Sequence, residues 1–368
     1  MFVNPITSDD YYRYLWDGKV QNEGFNPFEF APRDLISSHD NIIYPKLTYP
    51  EIKTIYPPLA QILYFLSYKF FGANAYGLKI FYLFFEAGIL IFLYKILKLI
   101  KVNTNYIFLY ALSPLVIFEF FINAHIDIEL LFFLSASIYF ALKDDSSLSL
   151  LFLGLSVMSK LYSLVFLLFY IIYFFKLNSD YKKIIAGLFY FLIPFSLLLF
   201  YQNHIIELFY TMQNYMQHWY FNSLIYQIIL YINSFIGIEN HQLTRLILIL
   251  FFIASYIIIL KSNFTFIQKM YLFSFFYLFF SHTVHMWYIT LLVLFLPVCF
   301  SYSALFWSCI IGLVNITVYF HLKQNIWEDY IPVLIIEYLL LIALIIYDIK
   351  IISTTNSQIN KLNSILKK

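Results

Sequence analysis

Three carboxylates stand close together near the start of the chain, beside a single arginine. Asp9, Asp10 and Asp17 belong to the run SDDYYRYLWDG, which also contains Arg13. A carboxylate that is partly desolvated and oriented by Arg13 is a good general base for an acceptor hydroxyl group. The spacing does not decide which aspartate is the base. An ordinary interfacial helix with salt-bridged acids is the alternative interpretation.

A short helix is expected to position these acids. Ser8 can cap it, with the two acids that follow in its first turn, and Gly18 can end it. On such a helix Asp10, Arg13 or Tyr14, and Asp17 share one face, while Asp9 faces Arg13 four residues later.

A second polar cluster falls at a predicted turn between two apolar helices. It consists of Glu119, Asn123, His125, Asp127 and Glu129. His125 and Asp127 are too few and too close in sequence to predict a metal site, and no metal is expected. The alternative is a buried polar turn that satisfies its own backbone.

A third cluster, SHTVHMWY, starts at Ser281 and lies at another predicted turn. Its two histidines, His282 and His285, are three residues apart and could bind metal or phosphate, with Trp287 and Tyr288 beside them. The alternative is aromatic anchoring with solvated histidines, which fits His282 better than His285.

Lys160 separates two apolar segments, each of which is short for a helix that crosses a membrane. A lysine at the tip of such a hairpin is disfavoured unless it snorkels or has an anionic partner. A lipid-linked phosphate needs a cation at headgroup depth, so the phosphate is the predicted partner. Simple snorkelling is the alternative.

Composition fixes the class of the whole protein. Of its 368 residues 62% are hydrophobic and 12% charged, and the mean hydropathy of +0.76 is too high for a soluble domain. The sequence predicts an all-α, polytopic helical membrane protein. A net charge of +2 without basic runs gives no indication of nucleic acid. We expect about eleven spans: 76–100, 106–122, 126–142, 148–160, 161–175, 184–203, 243–260, 267–281, 288–300, 303–321 and 331–349.

The lysines predict how these spans are oriented, because positive residues favour the cytoplasmic side. Four groups can share that side if the apolar helix 58–72 does not cross: Lys95, Lys98 and Lys101; Lys176, Lys182 and Lys183; Lys261 and Lys269; Lys350, Lys361, Lys367 and Lys368. Residues 1–57 and the loops 122–127, 204–242, 282–288 and 323–330 then lie together on the outer face. The predicted organisation is an outer segment 1–57, a membrane domain 58–349 and a cytoplasmic tail 350–368.

The sequence contains no Walker loop and no nucleotide-binding glycine-rich turn. The energy for a reaction must therefore come from a pre-activated donor that reaches a site at membrane level. A polyprenyl-phosphate sugar meets both requirements, since its anomeric phosphate is a leaving group and its tail can lie between helices. Lys160 or Arg13 can neutralise the departing charge.

Together these segments resemble the type C glycosyltransferases, and within them the bacterial mannosyltransferases that use polyprenyl-phosphate mannose. The resemblance covers about residues 1–300 and rests on the run from Ser8 to Gly18, on GFNPF from Gly24, on TIYPPLAQ from Thr54, on NAHID from Asn123, on Ser159-Lys160 and on HMWY from His285.

The resemblance implies an inverting transfer with an aspartate base, carried to Asp10 with Asp9 next, and a basic residue near the donor phosphate, carried to Lys160. Arg13, His285 and Tyr56 are the other expected substrate-binding residues. A supporting role is expected for Asp17, Glu119, Asn123, His125, Asp127, Trp287 and Tyr288. Such enzymes carry a membrane helix directly before the acidic motif, and counting it gives about twelve spans.

The expected function is therefore transfer of a hexose, with mannose favoured, from a polyprenyl-phosphate sugar to a lipid or glycan acceptor. We expect it at the outer face of a bacterial inner membrane, without a cofactor. A transporter, a lipid-sugar flippase and a non-catalytic relative are the alternatives. The sequence does not indicate an oligomeric state.

Overall fold

The computed structural model describes residues 3–38, 40–177, 180–201, 204–238, 240–324 and 328–366. Within these residues every regular element is a helix, apart from an isolated bridge between Phe221 and Thr283. The helices are α1 Asp10–Asn22, α2 Pro58–Phe71, α3 Ala75–Leu99, α4 Thr104–Ala111, α5 Pro114–Ile122, α6 Asp127–Leu142, α7 Ser146–Ser159, α8 Leu161–Lys176, α9 Tyr181–Phe200, α10 Ile205–His218, α11 Leu224–Phe235, α12 His241–Lys261, α13 Phe266–Phe279, α14 Met286–Phe295, α15 Tyr302–Phe320 and α16 Ile331–Leu366.

These helices confirm the all-α polytopic membrane class. Five helices in the described chain are long and apolar enough to cross a membrane: α3, α9, α12, α15 and α16. The pair α4 and α5, bent by 46° between them, can form a sixth span. Each of the eleven predicted spans coincides with a helix or with this pair. The count of eleven is not confirmed, because α6, α7, α8, α13 and α14 have 16 or fewer residues.

Polar residues start several of these apolar helices. The side chain of Asn74 accepts a hydrogen bond from the backbone N–H of Tyr76 at the start of α3, and Asp145 does the same for Leu148 in α7. Thr265 forms a capping box with Gln268 at the start of α13. Such caps satisfy backbone N–H groups that the first helical turn leaves without partners.

Several of the shorter helices are buried among the longer ones. Helix α6 packs against α7 and α3, and α7 packs against α9. Most of α6 is buried, whereas many apolar side chains of α9 and α12 are exposed, as expected for surfaces that face lipid. The polar ends of α6 and α7 thus meet in the interior of the protein.

Helix α1 is longer than predicted. It runs through Gly18 to Asn22, and its first residue is Asp10, whose N–H donates to the Ser8 hydroxyl oxygen at 3.3 Å. Gly18 therefore does not end the helix. A Cβ atom there would lie 2.3 Å from the carbonyl oxygen of Tyr64, so the missing side chain lets α1 pack closely against α2.

Three other regions named in the predictions contain helices. The expected loop 204–242 contains the amphipathic helices α10 and α11. The apolar segment 58–72 forms the 14-residue helix α2, which Gly72 ends with a φ of 65°. Helix α16 continues through the predicted boundary at 350 to Leu366. Residues 325–327 of the expected loop 323–330, and the predicted cytoplasmic residues Lys367 and Lys368, lie outside the described residues.

We expect Gly18→Ala to lower the free energy of unfolding by about 1–3 kcal/mol, because overpacking forces α1 away from α2. Thermal unfolding in detergent measures this change. Gly312→Ala is the matched control, since a Cβ at Gly312 meets no atom within 4 Å. Equal melting temperatures for the two variants would contradict the close packing at Gly18.

Candidate active site

One cavity of ≈570 Å³ brings together most of the residues expected to act in the reaction. Its wall is drawn from the N-terminal segment and α1, from residues 48–56, from α10 and the residues that follow it, and from the start of α14. The expected site residues in this wall are Asp9, Asp10, Arg13, Tyr56, Glu119, Asn123, Lys160, His285, Trp287 and Tyr288. Three more, Asp17, His125 and Asp127, are buried outside the lining.

Asp10 presents a carboxyl group to this cavity from the first turn of α1. Its side chain is 37% exposed, and its Oδ2 lies 3.7 Å from Nδ1 of His125. Desolvation by the surrounding protein raises the pKa of this partly exposed carboxyl group to about 7, the nearby charge of Asp9 adds to this rise, and the charge of Lys160 opposes it. A carboxyl group that titrates near neutral pH is suited to accept a proton from a hydroxyl group.

Asp9 and Arg13 do not pair with each other, contrary to the prediction. Asp9 accepts a hydrogen bond from the Thr48 hydroxyl group, which ties the start of α1 to the segment 48–56 in the cavity wall. Arg13 donates from Nε to Oδ1 of Asp17 at 2.8 Å and from Nη1 to the Ile52 carbonyl oxygen at 2.7 Å. Asp17 is fully buried, so it requires the nearby cation more than the exposed Asp9 does.

Asp17 is also held from the other side. Gln61 donates from Nε2 to Oδ2 of Asp17 at 2.9 Å and to the Thr54 hydroxyl oxygen at 2.8 Å. Asp17 thus fixes the guanidinium group of Arg13 and does not itself reach the cavity. Within the described residues, Nη2 of Arg13 has no hydrogen-bond partner in the protein.

The turn between α5 and α6, residues 123–126, places polar side chains beside Asp10. Ala124 has a φ of 64°, in the left-handed region that an alanine rarely adopts, and α5 ends in a π-helical turn. The buried carbonyl oxygen of Ala124 accepts a hydrogen bond from the Tyr82 hydroxyl group at 3.1 Å. Unfavourable backbone of this kind occurs often at functional sites. Here it directs His125 into the protein, with Nε2 at 3.3 Å from Oε2 of Glu119.

Asn123, in the same turn, anchors the N-terminal segment. Its Oδ1 accepts the backbone N–H groups of Ile6 and Thr7, each at 3.3 Å, and its Nδ2 donates to the Thr7 hydroxyl oxygen at 2.9 Å. Lys79 donates to the carbonyl oxygen of Val3 at 2.5 Å. The segment before α1 is therefore held against the membrane helices, so that it forms one side of the cavity.

Two histidines stack on one tryptophan beside this turn. The ring centroid of His125 lies 3.7 Å from that of Trp287, and the His285 ring lies 4.4 Å from it, nearly parallel. Burial lowers the pKa of His125 well below its ordinary value and that of His285 to about 3, and the charge of Lys160 adds to both effects. Both rings are therefore neutral at pH 7. They can offer a neutral hydrogen bond but no positive charge.

Residues 1–176 of the 368 match the MptA_B family, whose description is "Alpha-(1->6)-mannopyranosyltransferase, N-terminal domain". No curated protein and no solved structure gives a significant match. The matched part contains the acidic motif on α1, the turn at Asn123 and Lys160. The protein is a glycosyltransferase. The match confirms the resemblance to membrane mannosyltransferases and favours an enzyme over a transporter or flippase.

Lys160 of the transferase has a protein partner that the sequence analysis did not assign to it. Its Nζ lies 2.6 Å from Oδ1 of Asp127, at the start of α6, and 4.9 Å from the ring centroid of Tyr288. The side chain of Lys160 is 19% exposed and that of Asp127 is 2% exposed, so the pair is largely withdrawn from water. Lys160 still reaches the cavity, but most of its charge is offset within the protein.

A second cavity of ≈520 Å³ adjoins the first. The two share five lining residues, Ile55, Tyr56, Lys160, Tyr215 and Tyr288, and the second is otherwise mostly apolar. It includes Arg245, which the sequence analysis missed. The available signal was an arginine near the first turn of an apolar span, where a charge is costly. Within the described residues, no group of three histidine, cysteine or acidic side chains could hold a metal ion.

The buried ion pair predicts how substitutions should combine. Lys160→Met leaves Asp127 without its cation and is expected to lower stability by up to ~3–5 kcal/mol, less if Asp127 takes up a proton. Lys160→Met combined with Asp127→Asn should be more stable than Lys160→Met alone, because no buried charge is left unpaired. Thermal unfolding of the two single variants and the double variant tests this coupling. Strictly additive losses would contradict it.

Proposed function

We propose that the transferase moves a mannosyl residue from polyprenyl-phosphate mannose to a hydroxyl group of a glycolipid or glycan acceptor. The observation that carries this proposal is the arrangement of the two cavities. The polar cavity holds the candidate base Asp10, the apolar cavity can hold a lipid chain, and Lys160 belongs to both walls. A sugar-phosphate bond placed at the shared wall puts the sugar beside Asp10 and the tail among apolar side chains.

The reaction proposed at this wall is a single displacement. Asp10 accepts the proton of the acceptor hydroxyl group as its oxygen attacks the anomeric carbon of the donor. The bond between the anomeric carbon and the phosphate oxygen breaks, and polyprenyl phosphate leaves with the bonding electrons. One displacement inverts the anomeric centre. An α-linked product, as named in the family description, then requires a β-linked donor.

Four residues are proposed to contact the donor. Lys160 and Tyr56 lie in the wall that both cavities share, where the phosphate and the sugar would meet. Arg13 and His285 line the polar cavity. The free Nη2 of Arg13 can donate to a sugar or phosphate oxygen. Tyr215 donates from its hydroxyl group to Nε2 of His285 across 3.4 Å, in the tautomer that accepts there.

The membrane arrangement follows from the same proposal. The segment 1–57 and the cavity it covers would lie on the outer face of a bacterial inner membrane, where a lipid-linked donor is used. Residues 58–349 would form the membrane domain, and the lysine-rich part from 350 would face the cytoplasm.

A donor comparison tests the proposal directly. The purified transferase in detergent is supplied with β-polyprenyl-phosphate mannose or with a nucleotide-linked mannose, each with membrane lipid extract as acceptor. We expect mannose incorporation and release of polyprenyl phosphate from the lipid donor alone. Incorporation from the nucleotide sugar instead would overturn the proposed donor, and transport of the lipid sugar without its consumption would overturn the reaction.

Asp10→Asn should lower kcat by ~10²–10⁴-fold, since the amide cannot accept the proton and general-base catalysis contributes about this much. Asp9→Asn is the matched control. It changes an adjacent acid that is bonded to Thr48, and we expect a milder loss. Both variants must retain the wild-type melting temperature. Near-normal turnover of Asp10→Asn, or a severe loss confined to Asp9→Asn, would remove Asp10 as the base.

The raised pKa of Asp10 also predicts the pH dependence. Only the ionised carboxylate can act as base, so kcat/KM should fall about tenfold for each pH unit below the pKa and level off above it. The pKa of about 7 places the midpoint at 7 or somewhat lower, because water in the cavity favours the ionised form. Initial rates between pH 5 and 8 in mixed buffers measure the profile. A flat profile over this range would contradict proton uptake by Asp10.

A further inference from the structure

The apolar cavity contains the guanidinium group of Arg245, for which the described residues provide no ion-pair partner. Arg245 lies near the start of α12, and its side chain lines this cavity together with Leu248 and Phe252 of the same helix. Within the described parts of the chain, no acidic side chain lies within ion-pair distance of it, and its Nε is buried without a hydrogen-bond partner. An arginine in apolar surroundings requires an anion.

The contacts that Arg245 makes leave most of its donors free. Its Nη2 lies 3.5 Å from the carbonyl oxygen of Trp219, at the limit of a hydrogen bond, and its guanidinium carbon is 5.7 Å from the ring centroid of Tyr226. Trp219 itself lines the polar cavity. Arg245 therefore lines the apolar cavity and also contacts a residue of the polar cavity.

His282 offers a second free donor in the same cavity. Its Nε2 is buried and, in the described structure, has no hydrogen-bond partner. His282 and Arg245 both lie beside Tyr226, with the His282 ring centroid 6.5 Å and the guanidinium carbon 5.7 Å from the Tyr226 ring centroid. Burial lowers the pKa of His282 to about 4, and the charge of Arg245 adds to this effect. A neutral His282 protonated on Nε2 can donate one hydrogen bond to an anion that Arg245 holds.

The reaction itself requires such a charge. The donor phosphate is a diester with one negative charge, and it leaves as a monoester that gains a second. Lys160 is already paired with Asp127 at 2.6 Å, so it contributes little net charge to this step. Among the described residues Arg245 has no such partner, so it can stabilise the charge that develops on the phosphate.

We propose that Arg245, assisted by His282, binds the phosphate group of the polyprenyl phosphate in the apolar cavity. This inference rests on the proposed function, because it takes the lipid carrier as the ligand. The prenyl chain then runs along the part of α12 that includes Leu248 and Phe252. Lys160 remains at the shared wall, where it fixes Asp127 and contacts the sugar side of the bond.

Binding of farnesyl phosphate, a short soluble analogue of the leaving lipid, tests the inference without turnover. Arg245→Gln in the full-length protein should weaken its binding by ~10–100-fold, as expected for loss of a charge-assisted hydrogen bond. Farnesol, which lacks the phosphate, should bind both proteins equally. Arg33→Gln is the matched control, because Arg33 is 63% exposed and lines neither cavity. Arg245→Lys keeps the charge and should retain part of the affinity.

Three results would overturn the inference: unchanged farnesyl phosphate binding by Arg245→Gln, an equal loss for farnesol, or strong competition by phosphatidylglycerol, which would identify a general phospholipid headgroup site. If Arg245→Gln does not fold, the binding of farnesyl phosphate to Arg245→Lys becomes the test. Wild-type affinity of Arg245→Lys for both ligands would then count against the site. Loss of farnesyl phosphate binding in a protein that transfers no sugar would support this site and contradict the proposed function.

Discussion

The ion pair between Lys160 and Asp127 holds together two helix ends beside the first cavity. It joins the break between α7 and α8 to the start of α6, although 33 residues separate its two members. In a surrounding of low polarity neither charge is tolerated alone, so the two helix ends must stay together. Lys160 belongs to the wall between the cavities, Asp127 begins the largely buried helix α6, and the turn with His125 immediately precedes it. The polar turn between α5 and α6 is therefore held in one arrangement.

Polar contacts hold α1 and the segment that follows it in place. Arg13, Asp17 and Gln61 form a buried network that links α1 to α2. Lys19 lies 2.6 Å from Oδ2 of Asp40, which fixes the segment that follows α1. These contacts orient the face of α1 that carries Asp10. The role proposed for Asp10 depends on this orientation, because a displacement of about 1 Å can greatly reduce catalysis.

The sequence predicted the apolar spans as helices, since hydrophobic runs and capping residues are local signals, whereas α10 and α11 lie in a region expected to be a loop. It also predicted that Asp9, Asp10, Arg13 and the turn at Asn123 would meet in one place. It could not predict which side chains pair with each other. Arg13 lies one turn from both Asp9 and Asp17, and only burial of Asp17 decides between them. The role of Gly18 depends on the carbonyl oxygen of Tyr64, and the partner of Lys160 depends on how α6 packs. Arg245 was missed because the cavity that it lines is formed by segments that are far apart in the sequence.

The contacts that complete the first cavity join parts of the chain that are made at very different times. Ile6 and Thr7 are bound by Asn123, which is 117 and 116 residues further along, and Lys53 pairs with Glu207, 154 residues away. Synthesis proceeds from the N-terminus, so the segment that carries the acidic motif emerges long before its anchors exist. It must remain unattached while the membrane helices insert one after another. The first cavity is therefore completed only after these later segments have been made.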